Sequence, residues 1–258
     1  QHYVAMVTEQ GLMKKTSLTE YGNVRRSGIT AITMKKDDVL KDVKLTDGTQ
    51  HIIIGTHNGF AIRFEEHEAR PMGRTAAGVR AVRLTKGDKV IGAVAIKRKT
   101  TSILVVAEHG FGKRSELDEY RISHRGGKGV FTIKATEKTG KMVAIKEVLE
   151  NDDIVVVTTQ GVVIRQPAKM IRVAGRNTQG VRLIRLDAGD RIADIAVVPS
   201  EEEKVAPESP DVTPQETEKE EIKQTSLFEA GDEKRAIPGK KKKSSVTKSP
   251  KKKSKSKK

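Results

Sequence analysis

The chain has 258 residues, a net charge of +16, 33% charged and 3% aromatic residues, and no cysteine. That length holds one or two domains, and the missing cysteines exclude disulfides and thiolate metal sites and fit a reducing, cytoplasmic compartment. No apolar run is long enough to span a bilayer, no signal peptide opens the chain, and the few aromatics count against a base-stacking module for single strands.

The predicted elements follow one plan, met four times. A weak apolar run, Val4-Ala5-Met6-Val7, is followed later by Ile52-Ile53-Ile54, Ile103-Leu104-Val105-Val106 and Ile154-Val155-Val156-Val157. Runs of this kind read as strands. Each leads to a glycine turn, at Gly11, Gly59, Gly110 and Gly161, spaced by 48, 51 and 51 residues. Asn58-Gly59 is a pair suited to the positive φ angles of a two-residue hairpin. A short strand then carries a basic residue four positions after each glycine: Lys15, Arg63, Arg114 and Arg165. A loop leads to a second series, Gly28, Gly78, Gly129 and Gly180, spaced by 50, 51 and 51. A last turn, as at Lys86-Gly87-Asp88, opens a fourth strand such as Val90-Ile91-Gly92-Ala93-Val94. Four short strands per unit predict an all-β, propeller-like array of about four four-stranded blades over residues 1–199. Runs that are apolar on both faces fit sheets stacked face to face. A β-sandwich with accidental self-similarity is the alternative.

Past Pro199 the pattern stops. Residues 1–199 hold 34 Lys/Arg against 22 Asp/Glu, a net +12; residues 200–233 hold 3 against 12, a net −9; residues 234–258 hold 13 against none. The middle block is expected to be an acidic disordered linker and the last a Lys-rich disordered tail attracted to phosphate, the two tuning binding in opposite senses. A basic folded part points to a polyanionic partner, double-stranded DNA first.

The sharpest internal match joins Gly175-Arg176-Asn177-Thr178-Gln179-Gly180-Val181-Arg182-Leu183-Ile184-Arg185-Leu186 to Gly73–Leu84, with seven of twelve positions identical. A looser copy is His124-Arg125-Gly126-Gly127-Lys128-Gly129, and a worn one is Arg25-Arg26-Ser27-Gly28. Arg74, Arg125 and Arg176 recur every 51 residues, as do Arg63, Arg114 and Arg165. Equivalent positions of a propeller share one rim, so this spacing predicts a belt of guanidinium groups that contacts phosphates without reading bases. The expected DNA-binding residues are Lys15, Arg25, Arg26, Arg63, Arg74, Lys113, Arg114, Arg125, Lys128, Arg165 and Arg176. A solvated rim serving solubility alone is the blander reading. Arg80 with Arg83, and Arg182 with Arg185, are weaker candidates, since strand positions three apart face opposite ways.

Other chemistry is poorly served. Gly126-Gly127-Lys128-Gly129 lacks the spacing and the following Ser/Thr and helix of a nucleotide loop, although its amides with Arg125 and Lys128 suit a DNA phosphate. The histidines do not cluster at metal-ligand spacing. Tyr21 and Tyr120 end matching segments and read as packing residues. No nucleophile–base or paired-carboxylate arrangement stands out, so no catalytic residue, metal or cofactor is expected on this chain.

The segments Gly175–Val181, Gly110-Phe111-Gly112-Lys113-Arg114 and Met72-Gly73-Arg74-Thr75 resemble the C-terminal domains of the bacterial DNA gyrase A subunits, with those of the topoisomerase IV A subunits as a close second. The resemblance covers residues 4–198. It implies a β-pinwheel, whose blades exchange strands with their neighbours and whose rim wraps DNA. It further implies a parent type IIA topoisomerase that uses ATP and Mg through other parts. The gyrase B subunit, together with a second copy of the A subunit, would be partners in a bacterial, nucleoid-associated assembly, with no membrane role. Members of the family normally have six blades. Four blades, and a chain that does not begin with Met, are read as a fragment that lacks the first blades and the catalytic-tyrosine part. The gyrase hallmark has the form Gln-Arg-Arg-Gly-Gly-(Arg/Lys)-Gly in the first blade; Ser123–Gly129 keeps five of its seven positions but falls in the next-to-last blade, as a cognate loop. A basic propeller that binds an acidic protein is the competing reading from another class.

Overall fold

The computed structural model describes residues 2–98 and 101–200. The Lys-rich tail and, from residue 201 onward, the acidic linker expected from the sequence lie outside the described residues. The first repeat forms β1 (Tyr3–Thr8), β2 (Leu12–Ser17) and β3 (Leu40–Thr46). The second forms β4 (His51–Thr56), β5 (Phe60–Glu65), β6 (Val79–Arg80) and β7 (Val90–Ile96). The third forms β8 (Ser102–Ala107), β9 (Phe111–Glu116), β10 (Val130–Phe131) and β11 (Met142–Val148). The fourth forms β12 (Asp153–Thr158), β13 (Val163–Pro167), β14 (Val181–Arg182) and β15 (Ile192–Val198). A 3-10 turn closes each hairpin, at Leu18–Tyr21, Glu66–Glu68, Leu117–Glu119 and Ala168–Met170. No helix among the described residues is long and apolar enough to cross a membrane.

The sheets do not coincide with the sequence repeats. Their strand orders are β3-β1-β2-β6, β7-β4-β5-β10, β11-β8-β9-β14 and β15-β12-β13, all pairs antiparallel. Every repeat from the second onward thus lends its two-residue strand to the blade before it. Among the described residues the fourth blade receives none and has three strands rather than the expected four. In each blade the long inner pairing slips by one residue near its end, at Val7/Thr8, Gly55/Thr56, Met142/Ala144 and Val157/Thr158. A bulge of this kind sharpens the local twist, and here it recurs once per repeat.

Stacking explains the two-sided apolar runs. Ile52 and Ile54 face a core shared with the first blade, whereas Ile53 faces one shared with the third. Ile103 and Val105 then face backward, and Leu104 and Val106 forward into a third core with Ile154 and Val156. Each interior sheet is buried on both faces, and alternation along the strand divides its residues between two cores. The inner strands β3, β7, β11 and β15 pack against one another in series, which leaves β6, β10 and β14 at the outer edge.

The two glycine series have separate tasks. Gly59 takes φ +85 and its amide donates to the Thr56 carbonyl at 2.9 Å. Asn58 is not in the positive-φ region, so the turn is not the two-residue hairpin turn read from Asn-Gly; the glycine alone makes the left-handed step. Gly129 takes φ +81, and a Cβ there would lie 2.3 Å from the Ala61 carbonyl oxygen of the preceding blade. Glycine at that position lets the donated strand come close enough to pair.

Candidate nucleic-acid interface

The structure divides the predicted basic residues into those that hold blades together and those that face outward. The basic residue of each second strand, in the first three repeats, belongs to the first group. Lys15 is 3% exposed; its Nζ lies 3.4 Å from Glu66 Oε1 and donates to the Glu66 carbonyl at 3.2 Å. Arg63 is half-buried and donates through Nη1 to the carbonyls of Leu117 and Tyr120, at 2.9 and 3.1 Å. Its Nε donates to His51 Nδ1 at 3.0 Å. Burial, and then the Arg63 charge, hold His51 below its ordinary value, which keeps the ring nitrogen an acceptor. Arg114 is 4% exposed and donates through Nε to the Ile171 carbonyl at 3.0 Å. Each side chain therefore reaches the 3-10 turn of the next repeat. The same three residues form the parallel backbone bridges Lys15↔Pro71, Arg63↔Ile122 and Arg114↔Val173. They staple consecutive blades; Lys15 and Arg114 are buried away from the expected belt, and Arg63 is held between blades with part of its surface exposed. A charged donor on a carbonyl contributes about 1.5–3 kcal/mol, and burial leaves Lys15 and Arg114 little to offer a phosphate.

Lys113 is likewise corrected. It is fully buried, and its Nζ donates to the carbonyls of Gly175 and Arg176. Burial is the main cause that brings its pKa down from 10.5 to about 8; Glu119 opposes and Arg176 adds to the fall. Lys14 does the same under the first basic turn, donating to the carbonyls of Ala31 and Arg74, and its pKa is also lowered, by burial and then by Arg74. These lysines support the basic turns from beneath.

The turns themselves face out. A carboxylate shapes each of two turns: the Arg125 amide donates to Glu68 Oε2 at 2.9 Å and the Arg176 amide to Glu119 Oε2 at 2.7 Å. Arg125 Nη1 donates to the Arg80 carbonyl, and Arg176 Nη1 to the Phe131 carbonyl, each at 3.0 Å. Both residues are partly buried, and Arg125 Nε also donates to the Glu68 carbonyl at 3.0 Å, so their guanidinium groups are held in place. Arg74 is half-buried beside its lysine-capped carbonyl. Lys128 is exposed, with Nζ 4.6 Å from the Phe60 ring centroid. Arg25 and Arg26 are exposed in the first repeat. Arg165 is exposed and paired with Asp153 at 2.6 Å.

Three further arginines were missed from the sequence. Arg70, Arg121 and Arg172 follow the 3-10 turns, are exposed, and adjoin the bridge residues Pro71, Ile122 and Val173. They stand 51 residues apart, the spacing that disclosed the other sets. Their neighbours differ in every repeat, as in Ala69-Arg70-Pro71 and Tyr120-Arg121-Ile122, so the flanking residues hide the match. None of the three side chains has an ion pair or hydrogen bond with the described residues. Outward positive charge thus recurs beside the second strand of each of the first three blades.

This repeated architecture is found in known proteins. The chain is similar to the DNA gyrase A subunit of Staphylococcus epidermidis ATCC 12228, 43% identical over 204 residues, or 79% of this chain and 23% of the relative. The corresponding protein of Staphylococcus aureus NCTC 8325 is 40% identical over 203 residues, 78% of this chain and 23% of the relative. The chain therefore spans about a quarter of the length of these relatives. Among solved structures, the C-terminal domain of DNA topoisomerase IV superposes with a TM-score of 0.73 at 30% identity, over 76% of this chain and 62% of that one. A DNA gyrase A C-terminal domain, at 23% identity, shares the fold with a TM-score of 0.70 over 77% of this chain and 66% of that one. The family described as DNA gyrase C-terminal domain, beta-propeller, matches four times, over residues 2–47, 50–97, 101–148 and 152–199, in step with the four repeats. The chain belongs to that family.

Proposed function

We propose that this chain binds duplex DNA without sequence preference and bends it around the outer edge of its blades, as the wrapping module of a DNA gyrase A subunit. The observation that carries this reading is the register of Arg70, Arg121 and Arg172, exposed and unpaired among the described residues, beside the anchored Arg125 and Arg176. Bending a short duplex costs on the order of 1–6 kcal/mol, so contacts spread over several blades are needed to offset it. Repeated cations at equal sequence spacing supply such contacts, and none of them needs a base edge. In this reading the chemistry of strand cleavage, ATP and Mg belongs to other parts of a larger assembly in the bacterial cytoplasm, which includes the gyrase B subunit and a second copy of the A subunit. The −9 and Lys-rich blocks at 200–233 and 234–258 then tune the grip.

The test is topological. Closed DNA circles are relaxed by a nicking–closing enzyme in the presence of the chain, and the linking number is read. A shift of fixed sign that grows with protein is expected. Reversing Arg70, Arg121 and Arg172 to Glu should abolish it and flatten the salt dependence of binding by about 2.7 in log–log slope, at about 0.9 for each phosphate no longer neutralised. DNA binding with no shift in linking number, or a triple variant equal to wild type, would sink the reading.

A further inference from the structure

One outer-edge position breaks the pattern. The second residue of each donated strand is Arg80, Phe131 and Arg182 in turn. All three are exposed, Phe131 to 49%. Val130 packs against the core between the second and third blades, so strand alternation turns Phe131 outward. Its ring lies 4.2 Å from that of Phe60, its partner across the strand pair, at an interplanar angle of 30°. Lys128 Nζ covers the Phe60 ring, and Arg176 donates to the Phe131 carbonyl. A lone exposed apolar side chain is ordinary. An aromatic pair flanked by Lys128 and Arg176, where the adjoining repeats carry arginine, is a surface of mixed chemistry.

We propose that Phe131, backed by Phe60, is an apolar footing for the wrapped duplex, packing against deoxyribose edges in the groove turned toward the protein. The proposal rests on the DNA-binding reading above and deepens it. A sugar–phosphate backbone offers C–H faces between its charges. Arg80 and Arg182 in the neighbouring repeats engage phosphates on either side, and the middle blade meets the sugars between them. DNA curved toward the protein has its inner groove compressed, which brings the sugar edges together. The contact needs no base identity. It also releases no counterion, so it persists at salt concentrations that weaken the arginine contacts.

Affinity for a random-sequence duplex, measured across a salt series, tests this. Phe131→Ser should weaken binding about five-fold at every salt concentration with the slope unchanged, the order expected from losing half a buried phenylalanine. Phe131→Arg, which installs the residue of the adjoining repeats, should steepen the slope by about 0.9. Phe131→Leu should stay close to wild type, and it preserves the test if the serine variant melts early. A serine variant that folds and binds as well as wild type would overturn the footing while the DNA reading stands. Wild-type chain that fails to bind duplex overturns both. Self-association of the wild type, lost in Phe131→Ser with DNA affinity unchanged, would assign the pair to a contact between copies and also overturn it.

Discussion

The third and fourth blades are built from matching elements and end in opposite states. β9 is buried along all but its last residue, whereas β13 alternates between half-buried and exposed. Arg114 is 4% exposed and clasped by the following repeat; Arg165, at the matching position, is exposed and turns to Asp153 of its own blade. The two strands share that arginine and little else, Lys113 and Ser115 standing where Ile164 and Gln166 stand. They differ also in what comes next: β9 receives β14 and the 3-10 turn at Ala168–Met170, and among the described residues β13 receives neither. One basic residue in one register is thus a staple where the next repeat clasps it and a surface cation where, among the described residues, nothing does.

Charge reversal is the strongest way to break the comparison. Arg114→Glu sets a buried carboxylate against the Ile171 carbonyl and should cost about 3–5 kcal/mol in urea unfolding. If it costs under about 1 kcal/mol, the staple is not what joins these blades. A middle-sized effect is expected at Lys113, buried under the same blade junction. Its folded-state pKa of about 8 lies below the ordinary 10.5, so the folded chain sheds this proton first. Up to about pH 8 both states hold it and the cost of burying the charge is fully present; from pH 8 toward 10 that cost is relieved and unfolding free energy rises. Lys113→Met should reduce this rise, and an unaltered pH profile would refute the assignment. Tyr120, raised to about 12 chiefly by burial, pulls the other way only above its unfolded value near 10. The smallest effect belongs to Arg165→Glu, expected within about 0.5 kcal/mol of wild type in the same unfolding measurement. A large loss there would show that the fourth blade depends on its outer strand as the third does.

The repeat, the glycine registers and the two-faced strands were legible because periodicity records which positions are equivalent. Exposure is a different property. Lys15, Arg63 and Arg114 shared a spacing with outward groups, but they are held between blades, where a long cation is tolerated against carbonyls, a carboxylate or a ring nitrogen. Arg125 and Arg176 were legible because each lies in a glycine-rich turn that recurs 51 residues apart. Arg70, Arg121 and Arg172 carried the same signal without similar neighbours. The loan of β6, β10 and β14 to preceding blades was implied by family resemblance alone, since a two-residue strand has no period of its own and its partner lies more than 60 residues away in sequence.

The loaned strands separate the unit that is inherited from the unit that is assembled. Each of the second, third and fourth repeats contains one hairpin, one inner strand and one strand for the neighbour. A gene duplication of one such repeat inserts a complete blade and leaves every lender matched to a borrower. The array can therefore lengthen or shorten by whole blades through ordinary recombination, and the arc of its outer edge changes in steps of fixed size.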